Sequence, residues 1–272
     1  MMGTRASGTV SVQRLPEWSS RRFDFGLTES QEARAAQLHR ESIVFDFTAR
    51  HAGSAIFDAY SPALRADLDV RLAAVRTAAQ ILDESLHWPF EMALQGKSAL
   101  IREWLQGSGL TCGAYEILLH LPADAPDALS WEWDAQIRRY TQLPWLRLAR
   151  TADDIRRAKR DGAVAWFANC QPIIPGPRDL KSFDVAHEKG LRTFMLTYNR
   201  MDHIGVGCTE RVDAGLSMFG VEVVQRLNAL GIIVDTSHCG HLTTMDACRH
   251  SKKPVTANHT LARSLYDHAR GK

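Results

Sequence analysis

The chain lacks any run of the ~18 consecutive apolar residues that a membrane-spanning helix needs. Its first twenty residues also lack the apolar core of a secretory leader. Paired cysteines are missing too. Cys112, Cys170, Cys208, Cys239 and Cys248 are odd in number and form no CxxC pair. A disulfide framework is therefore not expected, and a reducing cytoplasm is the expected setting. Charge of one sign is scarce: 33 Lys and Arg against 31 Asp and Glu leave a formal net charge of +2. With no basic block interleaved with aromatics, neither nucleic acid nor a membrane is an expected partner. There is no Walker loop, no GxSxG elbow and no HExxH pair. Gly205 and Gly207 follow a loop and lack the third glycine of a dinucleotide fingerprint. No internal repeat or low-complexity segment occurs.

What remains is an ordinary globular composition. A chain of 272 residues with 45% hydrophobic content can bury one large core, so a single α/β domain over residues 1–272 is expected, with 1–27 an irregular N-terminal extension. Thr28 and Gln31 read as a capping box opening a helix to about Arg40. Residues 42–47 read as a first strand, 51–107 as two or three helices broken at Pro62 and Pro89, and 111–121 as a second strand. After a helix over 129–140, a short strand at 145–148 and a helix capped by Thr151, the alternation becomes regular. Strands are expected at 163–168 and 191–197, helices at 179–189 and 216–230, and a long loop at 199–215. Repeated βα units imply a parallel sheet, closed into a barrel rather than open.

The most informative segments are GIIVDTSH over residues 231–238 and PVTANH over 254–259. Each is a short β-branched run ending in a histidine, and a helical stretch from His241 to His250 lies between them. In an α/β barrel, residues at the C-terminal ends of neighbouring strands converge on one mouth. His238 and His259 can therefore meet on one ion although 21 positions apart. A lone histidine at a strand end is usually structural; the pairing is what raises these two. His241 reads as a surface residue at a helix start. His203 and His268 read as polar surface groups, and Cys208 and Cys239 as small packed thiols near the same rim.

Five segments now run in order: LTYN (196–199), GLSMFG (215–220), the stretch from Val223 through GIIVDTSH, PVTANH, and DHAR (267–270). Together they resemble the membrane dipeptidase (renal dipeptidase) family of zinc metallopeptidases, from about residue 140 onward. The resemblance implies an amidohydrolase-like (β/α)8 TIM barrel, incomplete here at its C-terminus. It implies metal-dependent hydrolysis of small peptides. His238 and His259 match the family's histidine ligands, and Arg270 matches the arginine that grips the substrate carboxylate, for which a two-pronged guanidinium is suited. Asn199 is a second substrate-binding candidate. Asp46 and Tyr198 are the catalytic candidates; a third metal ligand is expected from Asp46, Asn169 or a residue beyond the end of this chain.

The chain departs from the family at several places. Thr48 and Arg50 stand where the first strand carries His-x-Asp. No carboxylate stands near Ala168, where a bridging glutamate is expected, and Tyr198 stands in place of a histidine. Two zinc ions need carboxylate charge to sit side by side, so one Zn is expected rather than two, and none remains open. The alternative is a non-catalytic or accessory barrel binding a small carboxylated ligand. An incomplete barrel leaves unpaired strand edges, so a homodimer is a further expectation.

Overall fold

The computed structural model describes residues 25–49, 56–75, 78–116, 126–172 and 176–272. Most of the expected N-terminal extension, Arg50 and the second half of the expected second strand lie outside these residues. Seven strands are described, all parallel to their neighbours: β1 (Phe45–Asp46), β2 (Cys112–Glu116), β3 (Leu146–Leu148), β4 (Val164–Cys170), β5 (Leu191–Met195), β6 (Ile233–Asp235) and β7 (Val255–Thr256). Their order is β1-β2-β4-β5-β6-β7, a curled half-barrel.

β4 is the pivot of this sheet. β2 pairs along one side of it, from Ala165 to Asn169. The other side is shared: β3 pairs with Val164–Trp166 and β5 with Ala168–Cys170, the β5 register shifting between Ala168 and Asn169. All seven residues of β4 are buried, as expected of a central parallel strand covered on both faces.

The helices are α1 (Glu29–Glu41), α2 (Pro62–Ala74), α3 (Ala78–Leu94), α4 (Leu100–Gly107), α5 (Pro126–Thr141), α6 (Ala152–Arg160), α7 (Lys181–Glu188), α8 (Met218–Leu230) and α9 (His241–His250). Local chemistry sets many of their ends. Thr28 and Thr151 each form a complete capping box at the starts of α1 and α6. Ser61 caps α2 with Pro62 as its first residue. Gly231 closes α8 at φ 73°, a conformation that favours glycine. Pro89 was expected to break a helix but lies inside α3. The ring costs the carbonyl of Ser85 its partner, yet Leu86, Trp88, Phe90 and Met92 around it are all buried. Their packing carries the helix through.

Strand parity divides the core. Val164, Trp166, Ala168 and Cys170 join the large cluster that also holds Trp133 and Tyr140 of α5, Phe183 of α7 and Val223 and Leu227 of α8. Ala165 and Phe167 point the other way, into a smaller cluster with Cys112 and Ala114 of β2, against Phe47. On the helix side, Phe90, Tyr115, Tyr140 and Trp166 pack edge to face with ring centres 5.0–5.7 Å apart, geometry that aromatic quadrupoles favour. The Tyr140 hydroxyl lies 2.9 Å from His87 Nδ1. This cluster ties α3 and α5 to β2 and β4. Trp166→Ala is expected to lower unfolding free energy by about 3–5 kcal/mol, read as a fall in the urea midpoint.

Candidate active site at the strand ends

Strand β6 ends at Asp235 and β7 at Thr256, and each chain runs three residues further to a histidine. The His238 and His259 rings lie 5.0 Å apart between centres, tilted by 54°. Two imidazoles bound through Nε2 to one tetrahedral ion, each about 2.1 Å from it, would have ring centres about 5 Å apart. The observed separation suits a shared ion.

Each ring is oriented through Nδ1 by an asparagine. His238 Nδ1 lies 2.7 Å from Asn199 Oδ1, and His259 Nδ1 is hydrogen-bonded to Asn258 Oδ1. An amide oxygen only accepts, so each ring donates a proton from Nδ1. Asn199 Oδ1 also accepts from the Cys208 thiol at 3.8 Å, consistent with that orientation of the amide. Burial, then the charges of Arg270, His259 and Lys272, push the His238 imidazole down to about 3. His238 is thus neutral at physiological pH, the form that binds a metal.

Tyr198 stacks flat on His238, ring centres 4.1 Å apart and planes 17° from parallel. Burial, then the Glu116 carboxylate, raises its phenol above the usual tyrosine range, so its hydroxyl stays protonated. The Tyr198–Arg200 segment owes its position to Gly207, whose missing side chain would collide with the main chain of all three residues. That contact lets Gly207 form an antiparallel bridge to Cys239, flanked by Cys208 N donating to the His238 carbonyl at 2.7 Å.

Arg270 closes the site from the side. Its Nη2 donates to the His259 carbonyl at 2.8 Å and its Nε to the Ser237 carbonyl at 3.3 Å. The segment carrying it folds back on itself: Leu261 bridges Gly271, Arg263 N donates to Lys272 O at 3.0 Å, and the Lys272 ammonium reaches the Cys239 carbonyl.

The structure thus gathers His238, His259, Tyr198, Asn199 and Arg270. Asp46 ends β1, with β2, β4 and β5 between it and β6, and its Oδ1 accepts from the Thr48 main chain at 2.8 Å and hydroxyl at 3.1 Å. Ala168 sits in the large core cluster. Its neighbour Asn169 is fully buried with neither amide atom hydrogen-bonded. His203, expected on the surface, is instead a loop anchor: its Nε2 lies 2.8 Å from the Pro177 carbonyl and its ring 5.7 Å from that of Phe219. His241 and His268 are exposed as expected.

Four contributors were not singled out from the sequence: Asp235, Ser237, Asn258 and Glu116. Asp235 sat inside an apolar strand run and looked like part of it. The available signal for Glu116 was strand parity, since Cys112, Ala114 and Glu116 share a face that the first two fill with small side chains. Among the described residues, no three His, Cys, Asp or Glu side chains form a group able to hold a metal ion. His238 and His259 stand as a pair, short of such a group.

A parallel half-barrel with polar groups collected at its strand ends defines an amidohydrolase-like protein. The sequence profile of the membrane dipeptidase family, peptidase family M19, matches residues 134–271, and the chain belongs to that family. Its members are metal-dependent peptidases. An uncharacterised dipeptidase of Schizosaccharomyces pombe is 29% identical over 130 residues, covering 46% of this chain and 31% of that one. A solved amidohydrolase from Pseudomonas aeruginosa aligns with a TM-score of 0.59 at 25% identity, over 87% of this chain and 58% of that one. A probable dipeptidase, PvdM, of the same species shares the fold with a TM-score of 0.60 at 18% identity, over 90% and 59% of the two chains. The chain spans less than half the length of the curated relatives it matches. Among the described residues, no helix is long and apolar enough to cross a membrane.

His238 is neutral in the folded, metal-free protein and titrates near 6.5 when unfolded. Its contribution to stability is fully present above about 6.5. It is lost as acidification towards about 3 charges the unfolded chain first. Stability should fall by about 1–2 kcal/mol between pH 6.5 and 5 from this residue alone, at 1.36 kcal/mol per pH unit as the upper bound. Urea titrations at the two pH values should show a shallower loss in His238→Leu.

Proposed function

We propose that this chain forms the ligand-bearing part of a dipeptidase-type hydrolase acting on small peptides with a free carboxylate. One observation carries the reading: two imidazoles at a shared-ion separation, each with its Nδ1 tied to an asparagine oxygen. His238 and His259 would hold one zinc ion through Nε2, with Asn199 and Asn258 fixing the rings from behind. A zinc ion in such a place supplies an acidified water at neutral pH.

The chain's own groups account for the rest. Arg270 has five N–H donors and spends two, from Nε and Nη2, on main-chain carbonyls. The end of its fork, Nη1 with the second Nη2 hydrogen, is the edge suited to a substrate carboxylate. Tyr198 keeps its proton and offers a donor to a carbonyl oxygen as that oxygen gains charge. Asn199 contributes by orienting His238, and Asp46 has no part in this reading.

Metal analysis and a dipeptide panel with and without added zinc test the proposal. The protein should bind one zinc per chain and release amino acids only when zinc is present. His238→Ala should abolish stoichiometric zinc, and Asn199→Ala should weaken zinc binding by about 10–100-fold, as loss of a ring-orienting partner does. C-terminally amidated dipeptides should be poorer substrates. Zinc-independent binding of dipeptides without hydrolysis would favour an accessory, ligand-binding role instead.

A further inference from the structure

The ladder between β6 and β7 is short. It pairs Val234 with Val255 and Asp235 with Thr256, and ends with Thr236 N donating to Thr256 O at 2.8 Å. Both histidines lie beyond it. No main-chain hydrogen bond between the two turns continues past Thr256 among the described residues. The His238 turn is also held by main-chain bonds to the loop before α8, Cys208 N donating to the His238 carbonyl and Gly240 N to the Val206 carbonyl, both at 2.7 Å, so what the ladder leaves unset is the position of the His259 turn relative to it.

The bridges present are made by side chains. Asp235 Oδ1 accepts from Ser237 N at 3.1 Å, from Ser237 Oγ at 2.6 Å and, across the gap, from Asn258 N at 3.3 Å. The Ser237 hydroxyl, donating to Asp235, accepts from His259 N at 3.1 Å. Asp235 has no exposed surface, and its other oxygen has no hydrogen-bond partner. A carboxyl group buried in this way costs stability unless its contacts are strong. All its contacts go to the main chain and hydroxyl of the two histidine-bearing turns.

We infer that Asp235 is a positioning residue, which sets the separation of the His238 and His259 imidazoles by gathering the N–H groups of both turns on one oxygen, with Ser237 relaying the tie to His259. Arg270 makes the complementary tie, gathering the carbonyls of Ser237 and His259. An anion below and a cation above thus staple the same two segments. That the pair so held is a metal site rests on the proposed function; that it is held does not.

The test uses the full chain, with two readouts: the nuclear Overhauser contact between the two imidazole rings in metal-free protein, and zinc affinity. Asp235→Ala should abolish the ring contact and weaken zinc binding at least tenfold. Asp235→Asn retains an oxygen acceptor and should restore both to within about threefold of the parent. Ser237→Ala, which spares the main-chain bonds to Asp235, should lose the ring contact and decide the matter if Asp235→Ala does not fold. The inference is overturned if Ser237→Ala keeps the ring contact, or if Asp235→Asn is no better than Asp235→Ala. A parent protein that shows the ring contact but binds no zinc refutes the proposed function and leaves the positioning inference to the ring contact alone.

Discussion

The site depends on how two neighbouring parallel strands stop. A parallel ladder fixes its partners only as far as its hydrogen bonds run, and here they run out three residues below the groups that matter. Above Thr256 the two histidine-bearing turns are tied to each other by side chains. Asp235 takes the N–H groups, Arg270 takes the carbonyls, and Asn199 and Asn258 take the ring nitrogens. A small error in any of these would move a ring by a bond length or more, and ligand geometry tolerates little of that.

The loop over residues 196–217 completes the arrangement. It brings Tyr198 flat against His238 and Asn199 to its Nδ1, and it does so because Gly207 lets two stretches of main chain touch. The long loop is therefore structurally committed, which agrees with the general finding that extended loops in compact domains carry function.

The sequence revealed the outline of the fold and the identity of the paired histidines for the same reason: both are local patterns. The α9 helix spans His241–His250 as its pattern indicates, the capping box at Thr28 forms, and Thr151 caps α6. The strand ends at His238 and His259 stood out because a β-branched run stops at each. What was hidden depended on tertiary context. Pro89 looked like a break, and only the burial of Trp88 and Phe90 shows why the helix continues. Nothing in the chain announced that β3 and β5 would share one side of β4. Asp235 passed for a strand residue because its partners, Ser237 N and Asn258 N, become neighbours only after folding.

Arg270 and Lys272 act on His238 and depress its basicity. Two cations beside a neutral His238 favour the approach of an anion and oppose that of a dication. A substrate carboxylate seated on the Arg270 fork would cancel part of that positive field and ease the entry of the ion. Metal and carboxylated ligand should then bind cooperatively, each raising the affinity of the other by the same factor. Under the proposed function, the substrate itself would supply negative charge to the ion.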